Sequence, residues 1–203
     1  MKPASIEASP RVGLIGPNAI TRMAEALSAS GGETLRRRIF TRAGLSHYLA
    51  RPPAHMIPES DVACLHRAAI EELGEARAAA VSHQAGRLTG DYLLENRIPA
   101  LAQRVLKRLP REIAARILVA AIKRHAWTFA GSGAFSYAFT PQLILKLDGS
   151  PICREIRTKE PACAYFAATF KRVFGEMLGP SLNVRETECE ASGAPACVFE
   201  VGW

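Results

Sequence analysis

The spacing of apolar residues predicts helices in the first part of the chain. A first helix begins at Pro17-Asn18 and runs to about Ser28, where Gly31-Gly32 interrupts the three-and-four spacing of its apolar face. Residues 51–58 are rich in proline and predict a connector. The other predicted helices run through Leu35 to Gly44, from Ser60 through Leu73, from Ser82 to Asn96, from Pro99 for a short stretch, and from Pro110 to Ile122.

After Gly131-Ser132-Gly133 the apolar spacing changes to the alternation of β-strands. One more helix, over 162–178, interrupts the strands, which predicts an α+β fold: a helical N-terminal half followed by a small antiparallel sheet crossed by a helix. We expect residues 1–60 to be a helical extension, with a loose lead-in over 1–16, and residues 61–203 to be the ligand-binding domain. The predicted strands cover 134–139, 143–147, 152–156, 182–189 and 196–201.

The composition predicts a cytoplasmic protein with one sizeable core. The chain has 203 residues, 48% of them apolar, and no window approaches eighteen consecutive apolar residues, so we expect no membrane span. The N-terminus, Met1–Glu7, lacks the apolar region of a signal peptide. Five cysteines in a chain without an export signal favour metal or redox use over disulfides.

Positive charge is concentrated in one segment, residues 97–124. The chain carries a net charge of +7, and this segment holds eight basic residues and one acid, Glu112. Such a segment could meet nucleic acid, an acidic partner, an anionic lipid surface or a ligand with carboxylates, or it could be a solvated helix face. No nucleic-acid-binding signature is visible, so we do not expect a nucleic-acid partner. The basic residues are Arg97, Arg104, Lys107, Arg108, Arg111, Arg116, Lys123 and Arg124.

Three cysteines and a glutamate near the C-terminus predict a metal site. Cys163 lies on the apolar face of the last helix, and Cys189 and Cys197 flank a turn-rich stretch, so a hairpin would bring three thiols together. With Glu186 they make a tetrahedral set that suits zinc. Glu186 and Cys189 reach one ion only if the strand ends or bulges between them, which makes Glu188 a fallback ligand. The same cysteines could instead be small core residues.

Aromatic residues between 127 and 139 are candidates for an apolar ligand pocket, with core packing as the alternative. His125 lies beside them and could be a ligand, and Arg154, Arg157 or the arginines of 97–124 could pair with a carboxylate. Gly131-Ser132-Gly133 lacks the third glycine of a dinucleotide site, and no other motif for a redox cofactor is visible. The aromatic candidates are Trp127, Phe129, Phe135, Tyr137 and Phe139.

The ending Glu186, Cys189, Gly193, Cys197 and Phe199, together with Cys163, resembles the four-vinyl-reductase domain family over residues 127–203. The family is a small-molecule-binding module whose fold is akin to the heme-nitric-oxide-binding and vesicle-tethering trafficking folds. In phenol-sensing regulators with this domain, zinc is bound by a helix cysteine, this glutamate and these two cysteines. The resemblance therefore implies zinc on Cys163, Glu186, Cys189 and Cys197, and it implies a homodimer.

The segment Gly13–Ile20 is similar to the start of family members from purple phototrophs, which implies a role in bacteriochlorophyll biosynthesis. The family name implies reduction of a vinyl group on a divinyl chlorophyll precursor. That chemistry needs a hydride or electron donor, and zinc closed by four protein ligands has no redox chemistry and a structural role. We therefore expect a carrier of a magnesium porphyrin or chlorophyllide that meets pathway enzymes. The alternatives are a vinyl reductase with an external donor and a ligand-gated regulatory module.

Overall fold

The helical N-terminal half that the sequence predicts is present in the computed structural model, which describes residues 13–203. Most of the predicted lead-in, and the absence of a signal peptide, concern residues outside this range. Within it, no helix is both long enough and apolar enough to cross a lipid bilayer. The helices before the sheet are α1 (Asn18–Arg42), α2 (His47–Ala50), α3 (Glu59–Leu73), α4 (Glu75–Asn96), α5 (Ala100–Leu106) and α6 (Arg111–Arg124).

Glycines divide the long helices. Gly31 and Gly32 leave helical geometry inside α1, and Gly32 has φ +72°, so the predicted break is a kink in a continuous helix. Gly74, with φ +74°, ends α3 and directly precedes α4, which therefore begins at Glu75, earlier than the predicted Ser82. Positive φ is a conformation that glycine adopts without steric cost.

The four-stranded sheet follows the helices and has the order β3-β4-β6-β5, with every neighbouring pair antiparallel. The inner face of the central strands β4 and β6 is fully buried, and helix α7 packs on β5 beside it. The α+β prediction is therefore confirmed. The elements are β3 (Ala134–Thr140), β4 (Gln142–Asp148), α7 (Ala164–Leu178), β5 (Asn183–Glu188) and β6 (Cys197–Gly202).

The predicted strand over 152–156 is wrong, because these residues form consecutive turns. The amide of Cys153 donates to the Ser150 carbonyl at 3.1 Å, and the amide of Ile156 donates to the Cys153 carbonyl at 3.2 Å. Glu155 has φ +58°, which a strand does not contain. Ile152 and Ile156 are buried on one side of these turns, and this burial imitates the alternation of a strand.

Helices α4 and α7 join the helical half to the sheet. A Cβ atom on Gly86 would overlap the carbonyl oxygen of Tyr165, so the two helix backbones approach more closely than any larger residue would allow. Across this contact Thr169 donates to the Gly86 carbonyl at 3.0 Å, and the hydroxyls of Thr89 and Tyr165 lie 2.7 Å apart. The predicted division at residue 60 stays a prediction, and α1 packs against α3 and α4.

A two-stranded ribbon ties the start of the described chain to α3. Strand β1 (Leu14–Ile15) pairs antiparallel with β2 (Ile57–Pro58), which lies in the proline-rich segment that the sequence predicts as a connector. The Glu59 amide continues this contact by donating to the Gly13 carbonyl at 2.9 Å. Residues 13–15 are therefore held against the first turn of α3.

Candidate metal centre and ligand-binding residues

Four cysteine sulfurs form a buried cluster at one end of the sheet. Cys153 lies in the turns after β4, Cys163 directly precedes α7, Cys189 follows β5, and Cys197 begins β6. All four side chains are buried, and their sulfur atoms lie within 4.8 Å of one another. The group could hold a metal ion, because thiolate sulfur is a preferred ligand of several transition metals.

The distances in the cluster suit a single ion. Cys153 Sγ lies 3.2 Å from Cys163 Sγ and 3.5 Å from both Cys189 Sγ and Cys197 Sγ. Cys197 Sγ lies 3.5 Å from Cys163 Sγ and 3.9 Å from Cys189 Sγ. A zinc–sulfur bond of about 2.3 Å gives a tetrahedron with edges of about 3.8 Å. The sulfurs are therefore spaced as the ligands of one tetrahedral ion are.

Electrostatics also favour a cation between these sulfurs. Burial raises the pKa of Cys163 well above its usual value, and the hydrogen bond with Cys153 is the main cause that raises the pKa of Cys197. Cys189 differs, since hydrogen bonds with Cys153 and the other two thiols hold its pKa well below the usual range. The protein groups alone thus stabilise one thiolate, and a divalent cation would stabilise the remaining thiolates.

Glu186, the predicted fourth ligand, lies beside this group of four sulfurs and is not part of it. One carboxylate oxygen accepts the Cys163 amide at 2.8 Å, and the other is buried without a hydrogen-bond partner among the described residues. Burial, followed by the negative charge of Cys189, raises the Glu186 pKa to about 9. The predicted irregularity in the strand is confirmed, as the register shifts between Glu186 and Glu188, and Glu188 is exposed.

Cys153 is the residue that sequence reasoning missed. A strand over 152–156 would have placed it in the sheet, whereas the turns fold it back toward Cys163. A signal was available, since Cys153 is a further cysteine in the same part of the chain, in an apolar setting. The fifth cysteine, Cys64, lies on α3 and does not belong to the cluster.

Glu190 holds together the two loops that carry the cysteines. Its carboxylate accepts the amides of Gly149 and Ser150 at 2.6 and 2.8 Å, which ties the turn after β4 to the loop between β5 and β6. The Ser150 hydroxyl in turn lies 3.4 Å from Cys163 Sγ. These contacts fix the loops independently of any ion, so the centre is organised by protein groups as well as by its ligands.

The predicted aromatic ligand residues divide between the core and the surface. Phe129 and Phe135 pack edge to face at 5.4 Å and both contact Phe170, so they belong to the core. Tyr137 and Phe139 follow on the same face of β3 and are partly exposed. The first pair therefore packs as the core alternative describes, and the second pair is accessible.

Two cations of α6 cover the accessible aromatic pair. The Arg116 guanidinium lies 4.3 Å from the ring centre of Phe139, and Lys123 Nζ lies 5.7 Å from that of Tyr137. Both distances are within the range of cation–π attraction. A ligand on this face of β3 would therefore meet aromatic rings and positive charge together.

The other predicted ligand residues are not brought together in one site. His125 is exposed at the end of α6, with Nδ1 2.9 Å from the Ala121 carbonyl oxygen. Trp127 is 62% exposed. Arg154 pairs with the buried carboxylate of Glu59 at 3.1 Å and donates to the Ser132 hydroxyl. Arg154 therefore has a structural partner of its own.

A groove between α4 and α7 is a further candidate that the sequence did not indicate. It has a volume of about 310 Å³, and Ala168, Gly175 and Leu182 contribute apolar lining while His83, Arg87 and Lys171 contribute cationic or titratable groups. Gly175 lies inside α7, where glycine costs about 1 kcal/mol relative to alanine. No protein atom lies within 4 Å of a Cβ placed on it, so packing does not require a glycine here.

A second cavity of about 190 Å³ lies between α3, α4 and the segment before α7, and it is lined by His66. His66 is buried, its Nδ1 lies 3.2 Å from the Ser82 hydroxyl, and its Nε2 has no hydrogen-bond partner among the described residues. Burial lowers the pKa of His66 to about 4, so the imidazole is neutral near pH 7.

Comparison with known proteins defines the class. Residues 143–203, which carry β6, β5, α7 and all four clustered cysteines, match the model of the four-vinyl-reductase domain. The fold is similar to that of an H-NOX protein from S. oneidensis, crystallised in its Fe(II)NO ligation state, with a TM-score of 0.52 and 10% identity over 93% of this chain and 98% of that one. At that identity the likeness concerns the fold alone.

Two relatives then define the family within this class. The chain is 40% identical to the bacteriochlorophyll synthase 23 kDa chain of Cereibacter sphaeroides over 92% of this chain and 89% of that one. It is 37% identical to the protein of the same name from Rhodobacter capsulatus over 97% of this chain and 89% of that one. The chain belongs to this family, and the predicted resemblance to the four-vinyl-reductase domain family is confirmed.

Proposed function

We propose that this protein takes part in bacteriochlorophyll biosynthesis as a tetrapyrrole-binding protein, which carries a magnesium porphyrin or chlorophyllide between pathway enzymes. Both relatives are named as chains of bacteriochlorophyll synthase, and they match almost the whole chain, so the pathway is supported by family membership. Flat apolar macrocycles aggregate in water because of their apolar surface, and a carrier counters this by covering that surface.

The groove between α4 and α7 is the observation that carries the ligand-binding part of the proposal. Its volume of about 310 Å³ lies at the lower end of the range for small-molecule sites, about 300–1,000 Å³. A macrocycle would therefore enter with one edge and leave the rest accessible to the next enzyme. Gly175 keeps this space free of side-chain atoms, at a cost to helix stability that the protein interior does not explain.

The rim of the groove suits the propionate group of such a ligand. The guanidinium of Arg172 is already bound by Asp91 and by Glu176. Arg87 and Lys171 are exposed and have no acidic partner among residues 13–203. An arginine and a lysine beside an apolar floor can pair with a carboxylate while the macrocycle covers the floor.

The metal centre would support this role structurally. We propose that zinc occupies the cluster, with Cys153 completing the set that the sequence assigned to Cys163, Glu186, Cys189 and Cys197. Four thiolates leave a tetrahedral zinc no open position, so the ion would hold the turns, α7 and the β5–β6 loop together. In this arrangement Glu186 fixes the Cys163 amide, and its hydrogen bond at 2.8 Å supports that role.

An absorption titration with magnesium protoporphyrin IX tests the binding site. Gly175→Leu fills the groove, and we expect it to weaken binding at least tenfold, while Ala29→Leu, an exposed alanine of α1, binds like the original protein. Arg87→Gln with Lys171→Gln removes both carboxylate partners and should weaken binding by a further factor of about 10 to 100.

Arg77→Gln is the control for charge, because Arg77 is exposed on the same helix and does not line the groove. If Gly175→Leu binds with the original affinity, the ligand does not use this groove. Loss of binding in Tyr137→Ala would then move the site to the aromatic face of β3. A protein that gives no saturable spectral change with any magnesium tetrapyrrole would contradict the proposed function itself.

A further inference from the structure

The whole net charge of the protein resides in residues 97–124, which form α5, α6 and the turns around them. The chain carries +7, and this segment alone has eight basic residues and one acid, so the rest of the chain carries equal numbers of both signs. A charge balance this uneven produces a field directed from one side of the molecule. The outer face of α5 and α6, with the turn that follows, is called here the basic face.

Exposed apolar side chains are concentrated in the same place. Of the seven large apolar side chains that are exposed among residues 13–203, five lie between residues 101 and 127. A protein surface normally carries such residues singly, and a concentration of them indicates an interaction site. The five are Leu101, Val105, Ile113, Ile117 and Trp127.

Helical spacing places these side chains in rows on the outside of the molecule. Leu101 and Val105 are four residues apart on α5, and Ile113 and Ile117 are four apart on α6, so each pair shares one side of its helix. The inner side of α6 is a separate set of buried residues that includes Leu118 and Val119. The exposed isoleucines are therefore not needed for the core.

The positive charges of the basic face are largely not neutralised within the protein. In the described part of the chain, Lys107 is the only one of the eight that pairs with an acid, Glu176. Arg104, Arg108 and Arg124 are exposed and have no acidic partner there. The face thus offers unpaired cations next to exposed aliphatic side chains and a tryptophan.

We propose that the basic face binds the surface of an anionic lipid bilayer. Leucine, valine and isoleucine would enter the boundary between headgroups and acyl chains, and the arginines would contact lipid phosphates. Tryptophan is enriched at membrane interfaces, and Trp127 lies at the end of this surface. An acidic protein would satisfy the charges, but it would not by itself account for four aliphatic residues among them.

Sedimentation of the full chain with vesicles tests the proposal. We expect binding to vesicles of about 70% phosphatidylcholine and 30% phosphatidylglycerol, and little binding to phosphatidylcholine alone. Each basic residue near such a surface changes partitioning about fivefold, so Arg104→Gln/Arg108→Gln/Arg124→Gln should weaken binding on the order of 100-fold. Ile113→Gln/Ile117→Gln should weaken it on the order of tenfold.

A triple variant elsewhere separates the face from the overall charge. Arg37→Gln/Arg51→Gln/Arg77→Gln removes three exposed arginines outside the segment and changes the net charge equally, so it should bind vesicles almost as the original protein does. Equal losses in the two triple variants would overturn the proposal. It would also be overturned by equal binding to both vesicle types, or by binding to polyglutamate with none to anionic vesicles.

Tryptophan fluorescence reports whether the face enters the lipid. We expect a blue shift on addition of anionic vesicles, which Trp203→Phe retains and Trp127→Phe abolishes. A shift that survives in Trp127→Phe would contradict the orientation proposed here. Circular dichroism of each variant confirms that the helices remain folded.

Discussion

Glu59 offers a test of how the N-terminal segment is held on the sheet half of the protein. The carboxylate is buried and accepts the Ser132 amide and hydroxyl, both at 2.8 Å, and it pairs with Arg154 at 3.1 Å. A Cβ on Gly13 or Gly131 would overlap this carboxylate, so both glycines leave room for it. One buried charge thus connects the first described residues, α3 and the turn before β3.

The cost of Glu59→Gln can be worked from these contacts. A hydrogen bond to a charged group contributes about 1.5–3 kcal/mol, and two are made by Ser132. The amide retains an acceptor oxygen, so we expect roughly half of that to be lost. Arg154 is 41% exposed, which limits its pair to about 1 kcal/mol because of solvent screening. The sum is about 3 kcal/mol.

Urea and thermal unfolding measure this loss. For a protein of this size, about 3 kcal/mol corresponds to a fall in melting temperature of roughly 6–12 °C. Glu155→Gln is the matched control, because Glu155 pairs with Arg67 at 2.7 Å but is 74% exposed, so its loss should be below about 1 kcal/mol. If Glu59→Gln and Glu155→Gln destabilise the protein equally, the reasoning about the buried carboxylate is refuted.

Three further predictions concern the metal centre, the helix contact and the buried histidine. Cys153→Ser should lower zinc content, measured by plasma mass spectrometry, whereas Glu186→Gln should keep one zinc per chain, and the reverse result would restore the glutamate as ligand. In urea unfolding, Gly86→Ala should lose about 1–3 kcal/mol through overlap with α7, whereas Gly175→Ala should gain about 0.5–1 kcal/mol; equal effects would contradict the packing described. With a folded pKa of about 4 against about 6.5 unfolded, His66 binds its proton more readily in the unfolded chain. It should therefore cost up to about 3 kcal/mol of stability as pH falls from about 6.5 to 4, and His66→Gln should lack that component; parallel pH profiles would rule it out.

Much of the fold was predictable, because local patterns determine it. The helices follow from their apolar spacing, and Gly31-Gly32 marks the kink in α1 from sequence alone. The parity argument for Glu186 and Cys189 predicted an irregular strand, and the register shifts there. These features depend on residues that are neighbours in the chain.

The site was predictable only in part, since it depends on contacts between distant segments. Cys153 reaches the other sulfurs through turns whose burial imitates a strand, so a periodic pattern could not place it. The groove is formed by α4 and α7, and Gly175 becomes informative only when its surroundings are known to be open. Phe129 and Phe135 have the composition of a pocket, but three-dimensional packing puts them in the core.

The central claim is that the protein binds a magnesium tetrapyrrole and releases it unchanged. It is tested most directly by an absorption titration with divinyl magnesium chlorophyllide, with and without NADPH or dithionite, followed by extraction and chromatography of the pigment. The account predicts a saturable spectral shift that does not depend on the reductant, and recovery of divinyl pigment only. Reductant-dependent appearance of the monovinyl product would contradict it and identify a vinyl reductase with an external donor.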